Sequence, residues 1–329
     1  MEKKVLIVTD SREPNVTKVL SFLESLSQSV IRFNTDELLE GFKFNFSIFN
    51  GRSEWWIEKG WRINSDEIKS VWYRRPPSPK VPAGVDSLYH DFVENEANKF
   101  LWSLWTSFDL RHVFWMNHPM SLKLLEFNKP YQLQMAGRVG LKTPETIITT
   151  DPEVALNFSD RWNNEIVVKI FSGSVLRDAE GNLLSIFTNR VSREQIKEYF
   201  DGISCVPVML QNYIPKQIEL RITVVGNSVF ACAIHSQDSL RTKDDWRHYD
   251  FENVKHEIYQ LPFDIQEKIL KLMRAFNISF GAIDMILTPT GEYVFLEVNP
   301  SGQWGWIERL TKMPISKSIA DLLATPPLK

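Results

Sequence analysis

The chain has 329 residues, of which 43% are hydrophobic and 24% charged, with 38 Lys and Arg against 41 Asp and Glu for a formal net charge of −3. At roughly 100–200 residues per domain such a chain is expected to form two or three domains, with a core large enough to need no metal or disulfide staples. Fibrous and disordered classes are excluded. The balanced charge, with no long basic block, argues against a nucleic-acid partner bound through many phosphates.

Val5 to Val8 is a short apolar run after Met1-Glu2-Lys3-Lys4, too brief for a signal-peptide core, and it reads as a buried first strand. Residues 15–25 carry Val16, Val19, Leu20 and Leu23 at helical spacing, and 30–33 form the next strand. Over 42–49 the Phe42, Phe44, Phe46, Ile48 alternation predicts a half-buried strand closed by the Asn50-Gly51 turn. Another strand, 68–73, is stopped by Arg74-Arg75-Pro76-Pro77. A long aromatic helix is predicted over 85–108. A second, over 130–139, begins at Pro130 and ends at Gly140.

Beyond Lys142 the texture turns to strands over 166–171, 183–188, 206–213, 220–225, 229–235, 280–287 and 293–298, with helices near 192–200 and 265–276. No stretch approaches the ~18 apolar residues of a membrane helix, so no membrane partner and a cytoplasmic location are expected. Cys205 and Cys232 stand far apart in apolar surroundings and read as buried free thiols, consistent with a reducing compartment.

The richest chemistry lies in the 280–300 hairpin. If Thr288 pairs with Tyr293, the same register sets Asp284 opposite Glu297, with Asn299 on that face. Like charges directly opposite are destabilising. Two carboxylates and an amide oxygen suit a hard cation such as Mg²⁺; a proton-sharing dyad, or a register that turns Glu297 to solvent, are the alternatives. No His or Cys accompanies them, which weighs against zinc.

Lys169, within an apolar strand and ahead of Ser172-Gly173-Ser174, suits a phosphate or an edge position. Neither G-x-x-x-x-G-K-[ST] nor G-x-G-x-x-G occurs, so the P-loop and Rossmann readings lack their basis. Glu219 and Arg221 share a strand face and could be a surface ion pair. Arg74 and Arg75 either hold a substrate carboxylate or brace a domain interface. Arg247 stands out in a mixed-charge loop, solvated by default or closing over an acidic peptide. Trp304 and Trp306 are the tryptophans expected beside a substrate site.

Taken in order, Asn128-Lys129-Pro130, Gly140-Leu141-Lys142-Thr143-Pro144, Val168-Lys169-Ile170, Gln211, Glu219-x-Arg221, Asp284 and Glu297-Val298-Asn299-Pro300 resemble the ATP-grasp superfamily over the last two thirds of the chain. The resemblance implies an α/β ATP-grasp fold: an N-terminal α/β (pre-ATP-grasp) domain over 1–120, a central domain over 121–212, and a C-terminal antiparallel-sheet domain over 213–329, together clasping ATP. It also implies that Lys129, Lys169 and Ser174 meet the phosphates, that Gln211, Asn212, Tyr213 and Ile214 meet adenine, and that Glu219 lies near the nucleotide. Arg221 would act at the γ-phosphate, with Asp284, Glu297 and Asn299 holding Mg²⁺.

Within that superfamily, Val71-Trp72-Tyr73-Arg74-Arg75-Pro76, His235-Ser236-Gln237 with Asp245-Trp246-Arg247-x-Tyr249, and Asn299-Pro300-Ser301-Gly302-Gln303-Trp304 are similar to the microviridin or graspetide macrocyclases. The implied reaction activates Asp or Glu side chains of a ribosomal precursor peptide, leader plus core, as acyl phosphates and joins them to Thr, Ser or Lys. Arg74, Arg75, Arg247 and Trp304 are the expected peptide contacts, and a homodimer is compatible with the pattern. The rival expectations are an amino-acid or glutamate ligase and a catalytically silent ATP-binding regulator.

Overall fold

The computed structural model describes residues 3–59, 62–107, 113–126, 128–171, 175–177, 183–185, 189–239, 241–242, 246, 250 and 252–327. The first part runs β1 (Lys4–Thr9), α1 (Pro14–Ser25), β2 (Val30–Asn34), β3 (Lys43–Phe49), β4 (Arg52–Glu58), β5 (Arg62–Asn64), β6 (Ile68–Tyr73), α2 (His90–Ser107) and β7 (Phe114–Met116). Strands β2-β1-β6-β7 form a parallel sheet whose apolar runs are covered on both sides, as a parallel sheet requires. The β3-β4-β5 hairpins form a separate sheet that shares a core with it through Trp55 and Ile57. Asn50 and Gly51 turn there at φ 49° and 74°, as the Asn-Gly signal predicts. The strand forms but is not half-buried: of β3 only Phe46 is partly covered, and Ile48 is 69% and Phe49 79% exposed, because β3 is an outer strand of a small sheet.

The chain continues through α3 (Pro119–Glu126), α4 (Lys129–Arg138), β8 (Thr146–Thr149), α5 (Pro152–Arg161), β9 (Ile166–Lys169), β10 (Val175–Arg177), β11 (Leu183–Ser185), β12 (Asn189–Val191), α6 (Arg193–Glu198), α7 (Phe200–Cys205) and β13 (Val208–Asn212). Asn128 caps α4 by accepting from the Tyr131 N–H, and Gly140, at φ +84°, lies just past its end. Strands β12-β9-β13-β8 make an antiparallel sheet backed by α5, α6 and α7. Cys205, expected inside, is exposed at the end of α7 because that short helix buries only Ile203.

The last part contains β14 (Ile218–Val225), β15 (Ser228–Ile234), β16 (His256–Ile258), α8 (Phe263–Ala275), β17 (Phe280–Leu287), β18 (Tyr293–Asn299), α9 (Gly305–Thr311) and α10 (Ile315–Ala324). Its antiparallel sheet has the order β16-β15-β14-β17-β18. One face packs on α4 and α8 through Leu133, Ile269 and Leu272. The other end of the sheet shares a core with the first domain, where Val16, Val19 and Leu23 of α1 meet Ile315, Ile319 and Leu323 of α10. Cys232 lies in that shared core, and burial pushes its thiol up to about 12, so it is inert at neutral pH. Among the described residues, no helix is long and apolar enough to cross a membrane.

Candidate active site

The hairpin of β17 and β18 brings the two carboxylates together by an unexpected register. Leu287, not Thr288, lies opposite Tyr293, because Thr288 closes the turn by accepting the Gly291 N–H and donating its own to the Glu292 carbonyl. A β-bulge at Leu296 then adds one residue to β18, so that Asp284 comes to lie opposite Glu297 after all. The extra residue turns both Leu296 and Glu297 toward one cleft.

β18 is the sheet's outer strand, and its free edge is covered by side chain and loop. Gln132 of α4, 3% exposed, donates to the Val298 carbonyl at 3.0 Å and accepts the Val298 N–H at 2.8 Å. Its amide also donates to the Leu125 carbonyl at 2.8 Å. The Phe295 N–H donates to the Lys142 carbonyl. Glu297 is therefore held between two clamped residues.

Charge is paired residue by residue. Arg221 on β14 lies opposite Asp284, and its Nη1 donates to both carboxylate oxygens at 3.0 and 2.9 Å. Lys129 at the start of α4 stands 3.4 Å from Glu297 and donates to the Ile170 carbonyl at 3.0 Å. Glu219 pairs with Lys216 at 2.9 Å. The surface Glu219–Arg221 pair admitted by sequence is absent: both are buried, and each has its own partner. The like charges of Asp284 and Glu297 are thus compensated by a guanidinium and an ammonium of the chain.

The cleft between the two antiparallel sheets is open to solvent and spans about 740 Å³, the solvent at its mouth included. Pro144, Val167, Ile286 and Leu296 make an apolar slot beside Gln211, Asn212, Tyr213 and Ile214, and Lys129, Lys169, Asp284 and Glu297 line the same cleft. The slot suits a flat heterocycle and the charged side chains a polyphosphate. The Gln211 and Asn212 side chains themselves fix β13 to the start of β8, Gln211 donating to Thr146 Oγ1 at 3.0 Å and Asn212 accepting the Glu145 N–H at 2.7 Å. Asn299, the third expected metal ligand, is exposed and accepts the Ser301 N–H at 3.1 Å. Asp284, Glu297 and Asn299 offer only oxygen donors, which fits Mg²⁺ and not zinc.

The remaining candidates separate. Arg74 is 1% exposed and donates to the carbonyls of Ser301 at 2.8 Å and Gly302 at 3.1 Å and to Gln303 Oε1 at 2.7 Å, with Glu13 at 3.5 Å. This is the bracing alternative. Burial holds its guanidinium down at about 10, still charged at neutral pH. Arg75 is exposed. Trp304, expected at a substrate surface, is fully buried: its indole N–H donates to Ser316, and its ring packs on Trp72, Phe280 and Arg74. Trp306 packs on Trp246 with the rings tilted by 32° and meets His256 edge-on. Ser174 and Arg247 lie outside the described residues.

Sequence reasoning omitted Lys216, Ile286, Leu296, Gln132 and Gly302. Ile286 was legible as the same-face neighbour of Asp284 two residues on. The others had no local signal. A Cβ on Gly302 would overlap that of Ala282 and come within 2.9 Å of Arg221 Nη2, so the 301–303 loop presses on the Arg221–Asp284 pair.

Two antiparallel sheets that close on a cleft lined by cations and two apposed carboxylates define the ATP-grasp class. Residues 4–123 match the MvdD pre-ATP grasp domain, and residues 121–323 match the RimK-like ATP-grasp domain. The chain belongs to the RimK-like ATP-grasp ligases and carries an MvdD-type pre-ATP-grasp domain ahead of the catalytic fold.

Among solved structures, it resembles the Chryseobacterium gregarium RiPP-associated ATP-grasp ligase in complex with ADP and a leader and core peptide. The two are 32% identical over 98% of this chain and 96% of that one, with a TM-score of 0.89. The macrocyclase MdnC of Microcystis aeruginosa MRC, bound with precursor peptide MdnA, is 30% identical over 97% and 99%, with a TM-score of 0.84. Among curated proteins, the alpha-aminoadipate–LysW ligase LysX of Sulfurisphaera tokodaii is 23% identical over 195 residues. That match spans 58% of this chain and 65% of LysX, just under two thirds of the relative's length.

Proposed function

We propose that this protein is an ATP- and Mg²⁺-dependent ligase that crosslinks the side chains of a ribosomally made precursor peptide, leader plus core. The observation that carries the reading is the cleft in which Lys129 and Lys169 stand with Asp284 and Glu297 beside an apolar slot, with Arg221 paired to Asp284 behind it. A peptide Asp or Glu carboxylate oxygen attacks the γ-phosphorus, and the bond to the β-phosphate oxygen breaks to release ADP. A Thr or Ser hydroxyl or a Lys amine then attacks the acyl carbon, inorganic phosphate leaves, and the nucleophile's proton passes to phosphate or solvent. An ester or amide results. No protein nucleophile is required.

Arg221 compensates charge first on the transferring phosphoryl group and then on the tetrahedral carbon. Lys129 and Lys169 bind the phosphates, while Gln211 to Ile214 border the base and Glu219 lies near the nucleotide. Asp284, Glu297 and Asn299 would hold Mg²⁺, which supplies charge neutralisation at the phosphate oxygens. Binding of nucleotide with its cation entails an exchange of partners, since Arg221 and Lys129 now neutralise the same carboxylates. Arg75 and Arg247 are the arginines offered to the peptide. The division at residues 120 and 212, a cytoplasmic location and a homodimer belong to the same reading.

The test is incubation with ATP, Mg²⁺ and a leader-plus-core peptide rich in Thr and Asp/Glu, taken from any short reading frame found beside the gene, followed by mass spectrometry. Loss of one water per crosslink, coupled to ADP, is expected. An unchanged peptide alongside rapid ligation of free glutamate would establish the amino-acid ligase instead; ATP binding without turnover of either would establish the silent regulator. Glu297→Gln is expected to abolish most turnover with the fold intact.

A further inference from the structure

Arg74 and Arg75 are adjacent yet do opposite things. Arg74 is buried in the loop contacts described above, whereas Arg75 is exposed and held at φ 47°, a left-handed conformation that residues other than glycine rarely adopt. Such positions persist where the surroundings over-determine them, often at ligand clamps. The nearby acids have other partners: Asp10 is held by Arg12 and Glu13 by Arg74 and Asn15. Neither Arg75 nor Lys123 forms an ion pair with a described residue.

These two cations line one open cleft, separate from the nucleotide cleft and spanning about 770 Å³ with the solvent at its mouth, together with Tyr73, Trp102, Glu126 and Ser301. Lys123 Nζ lies 5.6 Å from the Trp102 ring centroid. Tyr73 is partly buried in the cleft wall, and burial, with the Glu126 charge second, pushes its hydroxyl up to about 12. The cleft therefore offers a guanidinium fork and an ammonium against one carboxylate, a balance that favours an anionic guest.

Ser301 connects the cleft to the reaction centre. Its N–H donates to Asn299 Oδ1, its carbonyl accepts from Arg74, and the next residue, Gly302, presses on Arg221. The 299–303 loop is thus a shared wall, with the Arg221–Asp284 pair on one side and the Arg75–Lys123 cleft on the other.

Resting on the peptide-ligase reading, we propose that this second cleft binds a non-reacting Asp or Glu side chain of the substrate peptide. The reacting carboxylate has to reach Arg221, so the acid held by Arg75 and Lys123 is a different one. Anchoring it one loop away selects which carboxylate enters the reaction centre.

The test titrates the full chain by calorimetry with the probe acetyl-Glu-Glu-Glu-Glu-amide and its neutral counterpart acetyl-Gln-Gln-Gln-Gln-amide. The acidic probe is expected to bind at least about tenfold more tightly than the neutral one and to weaken as salt rises. Arg75→Gln and Lys123→Gln are each expected to weaken it about fivefold, with melting temperature and ATP affinity unchanged, since both side chains are exposed and neither lines the nucleotide cleft. Equal binding by wild type and variants, displacement of the probe by ATP, or no binding of the acidic probe would overturn the proposal. Should the probe bind as expected while no peptide is crosslinked in the ligation assay, the ligase reading falls and the acid-binding cleft stands.

Discussion

Arg221 and Asp284 face each other on adjacent antiparallel strands, and one guanidinium nitrogen donates to both carboxylate oxygens at 3.0 and 2.9 Å. Glu297 lies opposite Asp284 on the next strand, and Lys129 reaches Glu297 from α4. A charged row therefore crosses the sheet in the order plus, minus, minus, plus. Breaking a buried pair by removing one partner leaves an uncompensated charge. Asp284→Asn is expected to lower stability by about 3 kcal/mol, read by urea denaturation, and to abolish ADP release. A stability loss well under 1 kcal/mol would show that the pair does not support the fold.

Gly302→Ala tests the loop behind Arg221. The added methyl overlaps Ala282 and crowds Arg221 Nη2, and overpacking of this kind costs about 1–3 kcal/mol. The expected kinetic signature is a fall in kcat with little change in the KM for ATP, because the slot that borders the base is untouched. An unaltered kcat would show that Arg221 tolerates displacement.

Gln132→Leu keeps roughly the side-chain length and removes three hydrogen bonds, leaving the Val298 N–H and C=O and the Leu125 C=O without the partner they have here. Buried unsatisfied groups cost about 1–3 kcal/mol each. Faster hydrogen exchange at the Val298 amide and reduced turnover are expected together, since Glu297 is the next residue. Unchanged exchange would mean that another group covers the β18 edge.

His256 gives the stability a pH dependence of known sign. Burial lowers its pKa below the ordinary 6.5, while its Nδ1–H donates to the Val254 carbonyl at 2.8 Å and its ring meets Trp306 edge-on. The unfolded chain takes up a proton at this ring more readily than the folded one, so the ring's contribution is present above pH 6.5 and lost as the pH falls below it. His256→Phe is expected to flatten the fall in melting temperature between about pH 7 and pH 5 relative to wild type. Parallel curves for the two proteins would refute this.

The 280–300 hairpin shows what could and could not be read from the chain. Its strand ends are legible because apolar runs bracket Pro289-Thr290-Gly291, and the facing of Asp284 and Glu297 follows from counting residues. The count is right for a reason it does not contain: the turn shifts the register by one, and the bulge at Leu296 shifts it back. A bulge carries no periodic mark in a strand whose residues are nearly all apolar. Likewise Ile315, Ile319 and Leu323 are spaced as a helix, but nothing local says that they pack on α1 across the chain.

Local chemistry by itself determined the residue types of the site: a cation after Asn128, a lysine in an apolar strand, a Glu and an Arg on one strand face, and hard oxygen donors with no thiol or imidazole. Those choices follow from hydration and charge, which act residue by residue. Only the tertiary structure decided the partners. It made Arg74 a buried brace and turned Arg75 outward, put Trp304 in the core, joined Arg221 to Asp284, and covered the outer strand with Gln132. Each of these depends on which groups from distant segments reach hydrogen-bonding distance, and the free energy of a buried charge is set by that neighbour rather than by its own place in the chain.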